Sequence, residues 1–206
     1  MKVYRLEVGM LGTNCYFAVN EKLQEAVVID PGAEPERIME LAEKGGFTVK
    51  AIFLTHGHSD HIGGVKKLHE ATGAPIYISE ADAPMLSNPR SNLSMFMNTV
   101  FQGCQADYFF QDGEVVTVAD MDFTIYATPG HTPGGVCIKH EDVVFCGDTI
   151  FSESIGRTDF PGGSYAQLIQ SIKDKILPLE DAVHLLPGHG PDTTVGWERR
   201  RNPFLQ

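Results

Sequence analysis

The stretch FLTHGHSDHIGG, Phe53 to Gly64, places His56, His58, Asp60 and His61 directly after a short apolar run. Imidazole nitrogens and a carboxylate oxygen together make a donor set suited to Zn, Fe(II), Mn or a related divalent ion. In an extended or turning segment residues two apart point the same way, so His56 and His58 can share one ion. Asp60 and His61 are adjacent, project differently and can approach a second ion on the far side. One ion cannot easily use all four donors, and the spacing therefore predicts a pair of metals.

Three more segments offer what such a pair still lacks. TPGHTPGG carries His131, FCGDTIF carries Asp148 and LLPGHG carries His189. Each candidate stands just past an apolar run and beside glycine. A rigid strand would deliver the polar residue to one edge of a sheet, and the glycine would permit the turn that aims it. Asp30, in VIDPG, reads as the anchor of a turn or of a hydrogen bond behind the site. The other histidines are left out: His184 reads as a hydrogen-bonded core residue within a strand, and His69 and His140 as surface positions.

The elements that must position these residues can be read from the period of the apolar residues. Strands are expected at Lys2 to Val8, Asn14 to Asn20, Ala26 to Asp30, Ala51 to Thr55 and Ile76 to Ser79. Further strands are expected at Glu114 to Val118, Phe123 to Ala127, Val136 to His140, Val143 to Cys146 and Ala182 to Leu186. Helical spacing appears after Pro35, with Ile38, Leu41 and Ala42 apolar and Gly45 as the stop, and again over Val65 to Thr72. A later helix begins at Ser164, whose spacing to Gln167 is that of a capping box, with a stripe of Tyr165, Leu168, Ile169, Ile172 and Ile176. Between Ala83 and Gly103 the pattern weakens, and Met85, Met95, Phe96, Met97 and Phe101 suit either helix packing or an apolar flap over a site. Strands outnumber helices, which can cover two sheets from outside, so layers are expected rather than a bundle.

Bulk properties narrow the function. A chain of 206 residues can bury a full core and is expected to form a single domain over 1–206. A formal net charge of -11 argues against a nucleic-acid partner, and Arg199, Arg200 and Arg201 read as decoration of a terminal helix or tail. No stretch has the unbroken apolar character of an export signal or a membrane span, so a cytoplasmic location and no membrane partner are expected. Cys15, Cys104, Cys137 and Cys146 are scattered singly and read as free thiols, mostly buried.

The set His-x-His-x-Asp-His at 56–61, followed by His131, Asp148 and His189, resembles the metallo-β-lactamase superfamily, and within it glyoxalase II (hydroxyacylglutathione hydrolase). The likeness runs from about Val3 to His189. It implies an α/β fold, a four-layer αββα sandwich. It also implies two divalent metal ions, zinc first and iron or manganese as alternatives: His56, His58 and His131 on one, Asp60, His61 and His189 on the other, Asp148 bridging. True β-lactamases are exported and commonly carry Arg at the position of His61, so they are set aside and β-lactam hydrolysis is not expected. Longer glyoxalase II enzymes carry a further helical domain that grips glutathione, and here 17 residues follow His189. The chain is more similar to short bacterial glyoxalase II-like enzymes, which share GRTDFPGG (Gly156 to Gly163) and an ending like Asn202 to Leu205.

The implied activity is hydrolysis of a small-molecule thioester on a glutathione-type carrier. Bound metal can bring the pKa of water from near 15.7 to about 7, and a thiolate of parent pKa near 8.5 departs without a strong acid. Asp60 would act as a ligand and as a proton acceptor late in turnover. Arg157 could fork onto a substrate carboxylate or pair internally with Asp159. Two alternatives stay open: a mono-iron glutathione persulfide dioxygenase on the same scaffold, and a non-catalytic metal-binding or redox-partner module.

Overall fold

Strand β2 (Thr13–Asn20) is buried along nearly its whole length, which requires cover on both faces. Its alternation divides the cover: Cys15, Phe17 and Val19 face one apolar cluster, Tyr16 and Ala18 another. The computed structural model describes residues 1–96 and 101–206 and shows what lies on each side. In the first sheet β1 (Lys2–Val8), β2, β3 (Glu25–Ile29), β4 (Thr48–Phe53), β5 (Ile76–Ser79) and β6 (Tyr108–Phe110) lie in chain order. The first three pair antiparallel and the remainder parallel.

The second sheet begins with β7 (Val115–Val118), β8 (Met121–Ala127), β9 (Val136–His140) and β10 (Val143–Gly147). A separate hairpin, β11 (Ile150–Phe151) with β12 (Ser154–Ile155), follows. β13 (His184–Pro187) then pairs parallel with β10, and β14 (Thr193–Thr194) closes the edge.

Between the sheets lies a core rich in aromatic and branched residues, in which Phe53 meets Phe110 and Phe123 edge to face. On the outer face of the first sheet, α1 (Pro35–Gly45) and α3 (Val65–Thr72) bury Ile38, Ala42, Val65 and Leu68. On the outer face of the second, α4 (Tyr165–Ser171), its π-helical continuation Ile172–Ile176 and α5 (Val195–Arg201) bury Leu168, Ile172, Ile176 and Val195. Helix, sheet, sheet, helix is the four-layer αββα sandwich expected. A short α2 (Ser59–Ile62) sits inside the ligand-rich loop.

Several local readings needed revision. His184 opens β13 with its side chain exposed, whereas His140 is buried against Phe123 and bonds the Asp122 carbonyl from Nδ1. His69 is half-buried and bonds the Ala74 carbonyl. Tyr165, assigned to the apolar stripe of α4, is exposed, although Ser164 does accept from the Gln167 N–H as a cap. Cys15, Cys137 and Cys146 are free and buried, and Cys104 is free and half-buried. No helix among the described residues is long and apolar enough to cross a membrane. Arg199 and Arg200 lie on α5, where both pair with Asp181.

Candidate metal centre

Four loops meet at one edge of the sandwich. β4 runs into His56, His58, Asp60 and His61; the β8–β9 loop carries His131; β10 ends at Gly147 and Asp148; β13 ends at His189. Because β10 and β13 are parallel, their carboxyl ends open on the same side. Gly147 adopts φ +48°, a left-handed turn that a side chain would strain, and so swings Asp148 inward. His189 is fixed from the other sheet: Thr13 bridges it, the Asn14 N–H donates to the Gly188 carbonyl, and Asn14 Nδ2 donates to the carbonyls of Pro187 and Gly190.

The seven residues singled out from the sequence converge. Three groups have donor atoms within 4.8 Å of one another: His56, His58 and His131; His56, His61 and Asp148; Asp60, His61 and His189. Asp148 stands between the outer two groups. Its Oδ2 lies 3.4 Å from His131 Nε2, and its Oδ1 lies 3.3 Å from His61 Nε2 and 3.7 Å from His189 Nε2. Asp60 Oδ2 is 3.2 Å from His189 Nε2 and 3.6 Å from His61 Nε2.

The outward nitrogens of these rings are held so that the others face in. His61 Nδ1 donates to Asp30 Oδ2 (2.9 Å), His131 Nδ1 to the Arg157 carbonyl (2.7 Å) and His189 Nδ1 to the Leu11 carbonyl (3.2 Å). The Thr55 hydroxyl donates to Asp30 Oδ2 and receives His56 Nδ1 at 3.1 Å, so Asp30 sets the tautomers of two rings. Asp30 thus serves as the hydrogen-bonding anchor its sequence context suggested. His58 Nδ1 and His131 Nε2 approach to 2.9 Å within the cluster.

The electrostatics match this arrangement. Burial, reinforced by the neighbouring imidazoles, holds His56 well below the ordinary histidine pKa and His58 down to about 3, leaving both neutral with a free lone pair. For His61 burial works the same way, but Asp148, Asp60 and Asp30 outweigh it and raise the pKa well above its ordinary value. Burial would raise Asp60 and Asp148, yet the surrounding histidines, His61 foremost, hold both low. The carboxylates therefore favour positive charge around His61, while His56 and His58 keep neutral donor nitrogens. His56 Nε2 is also buried without a hydrogen-bond partner among the described residues, a cost of about 1–3 kcal/mol that a cation would relieve, and Asp148 Oδ1 meets the His61 and His189 rings at 3.3 and 3.7 Å. The donors, their orientation and the orphaned His56 nitrogen fit a pair of divalent metals.

Above the cluster opens a cleft of about 610 Å³. Leu11, Leu93, Phe96, Phe151 and Phe160 give it apolar walls, and Arg157 is the one Arg or Lys among its described lining residues. Leu93 and Phe96 come from the segment read as a possible flap, whereas Met85 is buried beneath it and Met97 lies outside the described residues. Arg157 donates from Nε and Nη2 to both oxygens of Asp159 (2.9 and 2.7 Å) and lies 4.3 Å over the Phe160 ring. Of the two readings for this residue, the internal pair is the one present here.

Sequence reasoning missed Thr13, Thr55, Asp82 and Thr132. Thr13 Oγ1 donates to Asp60 Oδ2 at 3.3 Å, and the other three connect the ligand loops from behind. Their one signal in the sequence is that Thr55 and Thr132 each flank a candidate ligand.

Residues 8–197 match the family described as the metallo-β-lactamase superfamily. The hydroxyacylglutathione hydrolase GloC of Haemophilus influenzae is 38% identical over 209 residues, covering 100% of this chain and 98% of its own. The crystal structure of the BLEG-1 B3 metallo-β-lactamase superposes with a TM-score of 0.96 at 36% identity, covering 100% of both chains. That of TTHA1623 in a di-iron-bound form does so with a TM-score of 0.89 at 34% identity, covering 98% of this chain and 100% of the other.

Proposed function

The chain belongs to the metallo-β-lactamase superfamily, and from that premise we propose that it is a binuclear metallohydrolase of the glyoxalase II type. The reaction is hydrolysis of an S-(2-hydroxyacyl)glutathione, such as S-lactoylglutathione, to glutathione and a 2-hydroxy acid. The observation that carries this reading is Asp148, whose two oxygens are divided between two groups of inward-facing imidazoles. His56, His58 and His131 would hold one ion, Asp60, His61 and His189 the other, and Asp148 both. When bound, two such ions act as Lewis acids and make water nucleophilic near neutral pH. Zinc suits the nitrogen-rich donor set, and iron or manganese would also fit.

The chain's own residues supply the rest. Asp60 is held strongly ionised, so it binds a cation better than a proton, and its principal role is that of a ligand. The same depression makes Asp60 a weak base, so the late proton acceptance expected of it is a lesser role than ligation. The cleft has no Lys, Tyr or Glu among its described lining residues to protonate a poor leaving group. A thiolate, with a parent pKa near 8.5, needs no such help, which favours thioesters over amides. The apolar walls would exclude water, and Arg157 would reach a substrate carboxylate by exchanging Asp159 for it.

A β-lactam is a second substrate class, favoured by the full-length likeness to a B3 metallo-β-lactamase. The deciding assay takes metal-quantified enzyme and compares thiol release from S-lactoylglutathione, opening of a chromogenic cephalosporin, and oxygen uptake on glutathione persulfide. Thiol release that chelator abolishes and zinc restores is the expected result. Oxygen uptake without thioester cleavage would replace this reading with persulfide dioxygenation, and cephalosporin opening alone would replace it with β-lactam hydrolysis.

A further inference from the structure

Asp30 ties together His56 and His61, but neither His58 nor His131 touches it. A second fully buried carboxylate, Asp82, contacts the loops that carry His58 and His131 and takes no part in the reaction described above. It follows β5 in a turn fixed by its own N–H, which donates to the Ser79 carbonyl and hydroxyl. Asp82 Oδ2 accepts the Gly57 N–H at 3.0 Å and the Thr132 hydroxyl at 2.7 Å, and Oδ1 accepts the Gly134 N–H at 2.8 Å. Gly57 separates His56 from His58, and Thr132 follows His131. One carboxylate therefore grips the loop that leaves the first sheet and the loop that belongs to the second.

Both loops are pressed onto this turn backbone first. A Cβ on Gly57 would come within 2.5 Å of Met85 Cβ, and one on Gly134 within 2.0 Å of Ser79 Oγ and 2.7 Å of Asp82 Oδ1. The Val136 N–H also donates to the Thr55 carbonyl at 2.8 Å, joining the same two segments through the backbone. An ionised carboxylate accepts from several donors at once, and charge-assisted bonds of this kind are the short, strong ones. An asparagine of the same shape would turn an NH2 toward N–H donors.

We infer that Asp82 is a positioning residue that sets the separation of the His58 and His131 rings, and thereby selectively tunes the affinity of the metal held by His56, His58 and His131. This rests on the binuclear reading above. Asp30 would then brace the two halves to each other through His56 and His61, and Asp82 the half that holds His58 and His131.

The test measures stepwise zinc affinities of metal-free full-length protein by chelator competition, alongside thermal unfolding and thioester turnover. Asp82→Asn is expected to weaken one of the two zinc equivalents by about 10- to 100-fold and to change the other by no more than about threefold. Should that variant fold poorly, Thr132→Val removes a single donor to the carboxylate and is expected to weaken the same equivalent by about tenfold. Thr132→Ser, which keeps the hydroxyl, is expected to restore it. Equal weakening of both equivalents, or wild-type zinc affinities in both Asp82→Asn and Thr132→Val, would overturn the inference. Selective weakening in a protein that cleaves no thioester would leave the positioning role standing and remove the proposed reaction alone.

Discussion

Behind the floor of the cleft, His61 rests on Asp30, His131 on the Arg157 carbonyl and His189 on the Leu11 carbonyl, and His56 reaches Asp30 through Thr55. At the rim the side chains lack such support: Phe96 is 72% exposed and Leu11 54%. The floor is buried, charged and over-determined; the rim is exposed and mostly apolar, with the Arg157–Asp159 pair its charged part. Rigid floors fix the donor geometry on which a reaction class depends, while exposed rim residues alter which substrate enters. Changes to the floor should therefore move metal content and kcat together, and changes to the rim should move KM alone.

The largest effect is expected at Asp148, because its two oxygens are divided between His131 on one side and His61 and His189 on the other. Asp148→Ala should cost at least about a thousandfold in kcat, beyond the roughly 10- to 100-fold typical of residues supporting a ligand, and leave fewer than two metals by elemental analysis. Two metals and more than a tenth of wild-type kcat would break the division at its centre. Gly188→Ala comes next. Its Cβ would fall 2.4 Å from Asp148 Oδ1 and 2.5 Å from His61 Cε1, so kcat should drop about 100-fold with loss of one zinc equivalent. Asp30→Asn cannot accept at once from the Thr55 amide, the Thr55 hydroxyl and His61 Nδ1. A loss of about 10- to 100-fold in zinc affinity by chelator competition is expected. An unchanged affinity would mean that the rings hold their orientation without it.

How much of this was legible depends on the range over which each signal acts. His56 to His61 form a contiguous pattern, and His131, Asp148 and His189 each follow a strand that periodicity reveals, so the convergence of these seven side chains is legible in the sequence. Asp82 could not. Its partners are two backbone N–H groups and a hydroxyl far along the chain, and backbone donors leave no trace in residue identity. β6, β11, β12 and β14 are not expected from the sequence, because runs of two or three residues such as Tyr108–Phe110 and Thr193–Thr194 carry no period. His184 and His140 were exchanged between core and surface for a related reason. Both sit at strand ends, where alternation gives way to what the neighbouring loop covers.

The smallest effect tests the rim. Arg157 and Asp159 are 66% and 64% exposed, and an exposed ion pair is worth about 0.2–1 kcal/mol, so releasing the guanidinium can change substrate binding by no more than about fivefold. Asp159→Asn should lower KM for S-lactoylglutathione by about two- to fivefold with kcat unchanged, and Arg157→Ala should raise it. In the double variant the gain should vanish, because the asparagine acts only through the arginine it frees. The Arg157 backbone gives this measurement a second use. Its carbonyl holds His131 Nδ1, so the loop touches floor and rim at once. If Asp159→Asn instead lowered kcat or zinc content, the side-chain pair would be acting through that carbonyl on His131, and the boundary between floor and rim would have to be drawn beyond Asp159.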